Sequence, residues 1–150
     1  MAHTHLEHLA MVNPEPGIFK LYCKIDFAEY PLAAAADYHV LAKLLKNWII
    51  LDSFWKIPTD STAANTMRIG TTYTGAGTEI VTAMDVDAGS QTGWTQGTIK
   101  PGAIEIVDAD SYLTLYSITT AMSDGIVEVL LLIAAGVDES APADRVAVTS

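Results

Sequence analysis

Apolar side chains occupy every second position from Phe19 to Phe27, and this alternation constrains the fold more than any other feature of the sequence. Successive side chains of a strand point to opposite faces, so the segment is predicted to be a strand with one buried and one wet face. Cys23 is the only cysteine and lies in the apolar set, so it is predicted to be a small core hydrophobe. No intrachain disulfide is available to such a chain.

Further short strands are predicted downstream, separated by segments rich in Gly, Pro and Asp. They span residues 48–57, 66–72, 103–107, 112–119 and 126–134. Asp124-Gly125 favours a hairpin turn between the last two. Residues 80–86 fit a short helix or a short strand, and residues 87–102 form a loop-rich segment. Residues 33–45 fit both a helical stripe and a strand alternation, so periodicity leaves their structure open.

The pattern of many short strands, with no internal repeat and no second domain, predicts an all-β chain. The simplest architecture is a single β-sandwich of the jelly-roll type. Residues 17–135 are predicted to form this sandwich. Residues 1–16 and 136–150 differ in composition and are predicted to be extended N- and C-terminal arms.

Charge excludes several functions. The 150 residues include 18 acids and 8 Lys or Arg, a formal net charge of −10. A general nucleic-acid binder needs a surplus of basic residues, and an anionic membrane surface would repel this chain. The longest apolar run, residues 129–135, is too short to span a bilayer, and no signal-peptide pattern begins the sequence. No nucleic-acid or membrane partner is therefore expected, and the chain is expected to stay in a cytoplasm or in an assembly made there.

The densest set of metal-capable side chains is His3, His5 and His8, with Glu7 among them. His3 and His5 would share one face of a strand. A terminal segment offers no second shell of side chains to fix metal ligands, so neither a metal site nor a cofactor is predicted. A polar arm docked on a partner explains these histidines more economically.

Two acidic pairs, Asp85 with Asp87 and Asp108 with Asp110, lie in or near loops. The sequence from Asp85 begins like a calcium loop but lacks the later ligands and the distal Glu. Paired carboxylates also serve glycoside hydrolysis, but nothing near them resembles a substrate cleft. Solvated carboxylates in turns are the favoured interpretation.

No sequence motif of catalysis is present. The glycines from Gly75 to Gly77 do not form a phosphate loop, and there is no nucleophile elbow. His39 is the only histidine outside the N-terminal segment and is expected to be a polar side chain on the face of a strand or helix. No catalytic residue and no enzymatic activity are predicted.

The three tryptophans are the candidate interface residues. Trp48 and Trp55 lie in an apolar strand and are predicted to pack in the core or in a subunit interface. Trp94 lies in a Gly-rich loop and is the candidate contact residue. The strand over residues 48–57 carries large apolar groups on both faces, which favours a closed homo-oligomer.

The order of these segments resembles that of small phage virion proteins that decorate or cement the capsid, many of which are jelly-roll sandwiches. The similar segments are residues 37–41, 48–58, 66–72, 110–115 and 125–129. They lie within residues 37–134, roughly two-thirds of the chain. The resemblance implies that residues 37–45 form a strand.

What the resemblance implies about function is a non-enzymatic virion protein on the outer surface of the capsid. Its partner would be the major capsid protein, its oligomer a homotrimer, and its site of assembly the host cytoplasm. The net charge of −10 favours the capsid exterior, away from packaged DNA. One alternative is a head-fibre or tail-associated module that contacts a host or a glycan. A second is a small β-sandwich hydrolase or sugar-binding module, with Trp94 and the two acidic pairs as its site.

Overall fold

The computed structural model describes residues 3–6, 9, 11–12, 17–71, 80–89, 91–97, 104–106 and 111–135. Within these ranges lie eleven strands: β1 (His3–His5), β2 (Met11–Val12), β3 (Ile18–Asp26), β4 (Tyr38–Leu44), β5 (Trp48–Thr59), β6 (Thr66–Gly70), β7 (Val81–Asp85), β8 (Thr95–Gln96), β9 (Ile104–Glu105), β10 (Ser111–Ser117) and β11 (Ile126–Ala135).

The strands form two sheets with the orders β1-β4-β10-β6-β7 and β2-β3-β11-β5-β8, and β9 pairs with β5 at one edge. Without β1, β2 and β9, the strand orders β3-β11-β5-β8 and β4-β10-β6-β7 are those of a jelly roll, in which the chain passes repeatedly from one sheet to the other. All pairings are antiparallel except that of β1 with β4. The predicted all-β sandwich is confirmed.

The core lies between the sheets, and the alternation in β3 is what places one face of that strand in it. Phe19, Leu21, Cys23 and Ile25 are all buried, as is Phe27 just beyond the strand. Burial raises the pKa of the Cys23 thiol to about 12, so this side chain behaves as a hydrophobe and stays protonated at neutral pH. The prediction for Cys23 as a core residue is confirmed.

The segments that the sequence left open are strands. Residues 38–44 form β4, as the resemblance implied, and residues 81–85 form β7. β5 runs through Pro58 to Thr59, two residues beyond the predicted end at residue 57. β8 lies within the predicted loop of residues 87–102; its two polar residues carry no apolar alternation that could have predicted it. The glycines Gly75 to Gly77 lie outside the described residues.

The hairpin predicted at Asp124-Gly125 is wrong, because β10 and β11 lie in different sheets. The turn carries the chain across the sandwich. Gly125 has φ +92°, and a Cβ there would lie 3.0 Å from the Ser61 backbone nitrogen. The left-handed conformation favours glycine, and the close approach to the Ser61 backbone leaves little room for a side chain.

Two polar clamps fix this end of the sandwich. The Asp124 carboxylate accepts hydrogen bonds from the Ser61 hydroxyl (3.0 Å) and from the Thr62 amide (3.0 Å) and hydroxyl (2.7 Å). Those hydrogen bonds, chiefly that from the Thr62 side chain, lower the pKa of Asp124. The buried Asn65 carboxamide bonds the Ser117 hydroxyl (2.9 Å) and the Thr119 amide (3.0 Å). The loop after β5 is thereby held to the loop before β11.

The described residues of the predicted N-terminal arm pair with both sheets. β1 extends one sheet beside β4, β2 extends the other beside β3, and Leu6 is buried in the core. The boundaries at residues 17 and 136 stay a prediction. Over the described residues, no helix is long and apolar enough to cross a membrane.

Candidate interaction surface

The three tryptophans occupy different environments on or near β5. Trp55 is buried in the core. Trp48 is half-buried and packs edge-on against Phe19, with ring centroids 5.0 Å apart. Trp94 is 44% exposed, in the loop just before β8. Trp94 is therefore the one tryptophan of the three with a large exposed surface, whereas Trp55 is only 6% exposed.

Trp94 belongs to a network of side-chain contacts that crosses the sheet. The Lys56 ammonium lies 4.6 Å from the centroid of the Trp94 ring and 3.5 Å from Glu128 Oε2. The Tyr22 hydroxyl donates a hydrogen bond to the other oxygen of the same carboxylate, Glu128 Oε1. Three strands thus contribute to one cluster, because register places Glu128 directly opposite Lys56 on β5.

The Glu128 carboxylate is nearly buried, and its two partners compensate for the lost hydration. Burial, together with the hydrogen bond to Glu128, raises the pKa of Tyr22 to about 12. Tyr22 therefore remains a hydrogen-bond donor throughout the physiological range. The cluster links β3, β11 and β5 on the outer side of their sheet, where Lys20 and Lys24 are also exposed.

This surface, which we call the open face, is the outer side of β3, β11 and β5. β11 contributes to it Leu130, Leu132 and Ala134, which alternate with the buried Leu131 and Ile133. β5 adds Phe54 opposite Leu130, and Leu51 at a bulge opposite Leu132 and Ile133. The partly or largely exposed apolar side chains of this face include Ile18, Leu51, Phe54, Leu130, Leu132 and Ala134. The sequence analysis predicted apolar groups on both faces of β5 but not on both faces of β11. The unbroken apolar run over residues 129–135 could have indicated them in β11.

The metal-capable histidines are only partly described. His3 and His5 lie in β1, at alternate positions opposite Tyr38 and Val40 of β4. Glu7 and His8 lie outside the described residues. No cluster of three or more His, Cys, Asp or Glu side chains suited to a metal occurs within the described part of the chain. A role for His3, His5 and His8 stays untested.

Of the two acidic pairs, the structure describes one. Asp85 ends β7, and its Oδ1 accepts a hydrogen bond from the Asp87 amide at 3.3 Å. The side-chain hydrogen bond with Asp85 is the main cause that raises the pKa of Asp87. Asp108 and Asp110 lie outside the described residues, so a site formed by the two pairs stays untested.

His39 lies on a face of strand β4, and that face is the inner one. It is 1% exposed, because register places it opposite Leu115 on the inner side of its sheet. Its Nε2 lies 2.9 Å from the Tyr30 carbonyl oxygen, and its ring stacks on Phe27. Its Nδ1 has no hydrogen-bond partner among the described residues. Burial lowers the pKa of His39, outweighing the opposite effects of the Tyr30 carbonyl and Asp37. The bulge in this part of β4 hides the residue from a simple period-two analysis.

Comparison with known proteins gives structural matches alone. No family model matches the chain, and no curated protein matches its sequence. A chain of the capsid of Ralstonia phage GP4 superposes with a TM-score of 0.61 at 18% identity, over 91% of this chain and 100% of that one. A chain of the cyanophage Pam1 capsid asymmetric unit superposes with a TM-score of 0.52 at 17% identity, over 82% of this chain and 91% of that one. At such identities the likeness shows a common fold.

Proposed function

We propose that this chain is a structural protein of a bacteriophage virion that decorates or cements the outer surface of the capsid. The observation that carries the proposal is the extent of the two matches. Each covers nine-tenths or more of a chain from a phage capsid and four-fifths or more of this one. The likeness is therefore to whole chains of similar length and not to one domain of a larger capsid subunit.

The physical character of the chain supports a structural role. The chain has a two-sheet core with buried polar groups that hydrogen-bond across it, and its candidate surface combines exposed apolar side chains with the cluster of Tyr22, Glu128 and Lys56. Partner binding through such a surface derives its free energy mainly from apolar burial and from a few aromatic anchors such as Trp94. We propose no catalytic residue and no cofactor.

The partner we propose is the major capsid protein, and the location is the capsid exterior. A net charge of −10 would be repelled by packaged DNA, so an interior position would be costly. A homotrimer is the oligomer that the family resemblance implies. Residues 1–16 and 136–150 are proposed to add further contacts to the capsid, although β1 and β2 also pair with the two sheets of the chain itself.

Sedimentation with capsids tests the proposal. Purified chain is mixed with empty expanded capsids of its own phage, from which the chain has been omitted, and bound protein is measured in the pellet. We expect saturable binding, with weaker binding after deletion of residues 137–150. Binding that fails to saturate, or no binding at all, contradicts the decoration role; unchanged binding after deletion of both 1–16 and 137–150 contradicts the role of the arms alone.

A further inference from the structure

The two ends of the sandwich differ in charge. β3, β5, β7 and β10 finish at one end, where the Phe27 amide bonds the Gly125 carbonyl (2.9 Å) and the Ser61 amide bonds the Val86 carbonyl (2.8 Å). Within the described residues, the strand ends and connections here carry acids and no Lys or Arg: Asp26, Glu29, Asp37, Asp60, Asp85, Asp87 and Asp124. We call this the acidic end.

The opposite end, which we call the apolar end, is where β3 begins, β4 turns into β5 and β11 finishes. Register joins these strands, since Ile18 lies opposite Ala134 and Trp48 lies opposite Ala135. Ile18 is 68% exposed, and Leu45 in the turn before β5 is 47% exposed. Among the described residues, no other large apolar side chain is as exposed as these two.

Lysines border the apolar end. Lys46 follows Leu45 in the turn, Lys43 precedes it in β4, and both are exposed. Neither forms an ion pair with a described residue. Glu105 of β9 is an acid at this end, but over the described residues the lysines outnumber the acids here. The two ends lie about 37 Å apart along the twelve residues of β5, which is several Debye lengths at physiological salt.

The chain beyond the described strands also favours the apolar end. Residues 136–150 follow β11 directly, and residues 1–16 precede the start of β3. Contacts made by residues 136–150 and by the apolar end can therefore reach the same partner without crossing the length of the sandwich.

We propose that the apolar end is the surface by which this chain docks on its capsid, with Ile18 and Leu45 in the contact and the acidic end directed away from the shell. The inference rests on the proposed function and adds an orientation to it. It fits an apolar patch of the major capsid protein that is bordered by carboxylates, which Lys43 and Lys46 would face. Trp94 lies beside Lys56, nearer the acidic end, and remains available to a neighbouring capsid subunit.

A second copy of the chain fits the apolar end less well than a capsid subunit does. Two apolar ends in contact would bring Lys43 and Lys46 close to the same lysines of the other copy. An apolar end on an acidic end would match in charge, but this contact repeats head to tail and builds open filaments.

Thiol footprinting tests the orientation. Cys23 is the only cysteine and is buried, so a thiol introduced on the surface is the one that reacts. Leu45→Cys probes the apolar end. Ile118→Cys is the matched control, because Ile118 is 37% exposed and its amide bonds the Thr66 carbonyl at the acidic end. Each variant is treated with a maleimide, both free and bound to empty expanded capsids of its own phage that lack the chain.

Mass spectrometry then measures the label on this chain. On capsids we expect labelling at position 45 to slow about tenfold or more, and labelling at position 118 to change less than about twofold.

Sedimentation with the same capsids gives an independent test. Ile18→Glu and Leu45→Glu place a carboxylate in the proposed contact, whereas Ile118→Glu places one at the other end. All three positions are exposed, so the fold should tolerate the changes, and thermal unfolding shows that each variant is folded. We expect the first two variants to weaken binding about tenfold or more and the third to weaken it less than about twofold.

Protection at position 118 alone, or equal protection at both positions, overturns the orientation and leaves capsid binding intact. A wild-type chain that does not bind capsids overturns this inference together with the proposed function, so the two failures are distinguishable. The inference also fails if the free chain forms oligomers by light scattering in which position 45 is already protected, because a second copy would then cover the apolar end.

Discussion

The outer sides of the two sheets differ in how their apolar residues are covered. On the sheet of β4, β10 and β6, Val40 and Thr114 point away from the core and yet are fully buried, and Tyr38 is nearly so. On the sheet of β3, β11 and β5, Leu51 and Ile18 remain exposed. The first outer side is already covered within the chain, whereas the second still has apolar surface to bury. An apolar outer strand is therefore evidence for a partner only where burial is incomplete.

The largest expected effect comes from placing a carboxylate on each outer side. Val40→Asp should destabilise the fold by at least about 3 kcal/mol, because an unpaired charge would be buried. Leu51→Asp should change stability by less than about 1 kcal/mol, since the site is exposed. Denaturant unfolding at low protein concentration measures both. Equal losses of unfolding free energy in the two variants would contradict the claim that one outer side is covered and the other is open.

The next effect compares two neighbouring leucines of β11. Leu131→Ala removes a fully buried side chain and should cost about 2–5 kcal/mol. Leu132→Ala, on the open face, should cost about 1 kcal/mol, because its side chain is only partly withdrawn from water. The free energy of unfolding of the monomer is the measurement. A loss at residue 132 as large as that at 131 would mean that the open face is buried in the monomer.

A smaller effect concerns acid stability and involves the sheet whose outer side is covered. Burial lowers the pKa of His39 below its ordinary 6.5, so the folded state binds this proton less readily than the unfolded state. The stability that comes from keeping His39 neutral is fully present above pH 6.5. It is lost as the pH falls from there through the lowered pKa of the folded state. His39→Gln should flatten the decline of Tm with pH in that window. A parallel decline in both proteins would show that other groups cause the acid sensitivity.

The smallest effect concerns alkaline stability and involves the open face. The pKa of Tyr22 is raised from 10.0 to about 12, so its stabilising contribution is complete below pH 10 and is lost as pH rises toward 12. Glu128→Gln should bring the Tyr22 pKa down only part of the way, because burial is the larger cause. Tyr22→Phe identifies the signal in a near-ultraviolet titration. A Tyr22 that already titrates at its ordinary pKa would contradict the cluster with Glu128 and Lys56.

The sequence predicts those parts of the fold that depend on neighbouring residues and misses those that depend on contacts between distant residues. The alternation from Phe19 to Phe27 predicted β3 and the burial of Cys23, because a strand with one wet face needs only its own residues. The sheet partners of β10 and β11 were not predictable in the same way. Asp124-Gly125 suits a tight turn, and only distant residues such as Ser61 and Thr62 show that the turn crosses between sheets.

The candidate site was predictable only where a single segment of sequence indicates it. Trp94 was indicated by its position in a Gly-rich loop, and its exposure agrees with a contact role. The cluster of Tyr22, Glu128 and Lys56 was not indicated, because its members are far apart in sequence and meet only through the register of three strands. The sequence predicted that His39 lies on a strand or helix face but not that the face is buried, because an ambiguous segment gives no local sign of the bulge in β4.

The most direct test of the central claim is the copy number of this chain in purified virions, measured by quantitative mass spectrometry relative to the major capsid protein. A decorating protein that follows the capsid lattice should be present in hundreds of copies per particle, in a fixed ratio to the major capsid protein. A dozen copies or fewer would indicate a fibre or tail component. Absence of the chain from purified particles would contradict the proposal that it is a virion protein.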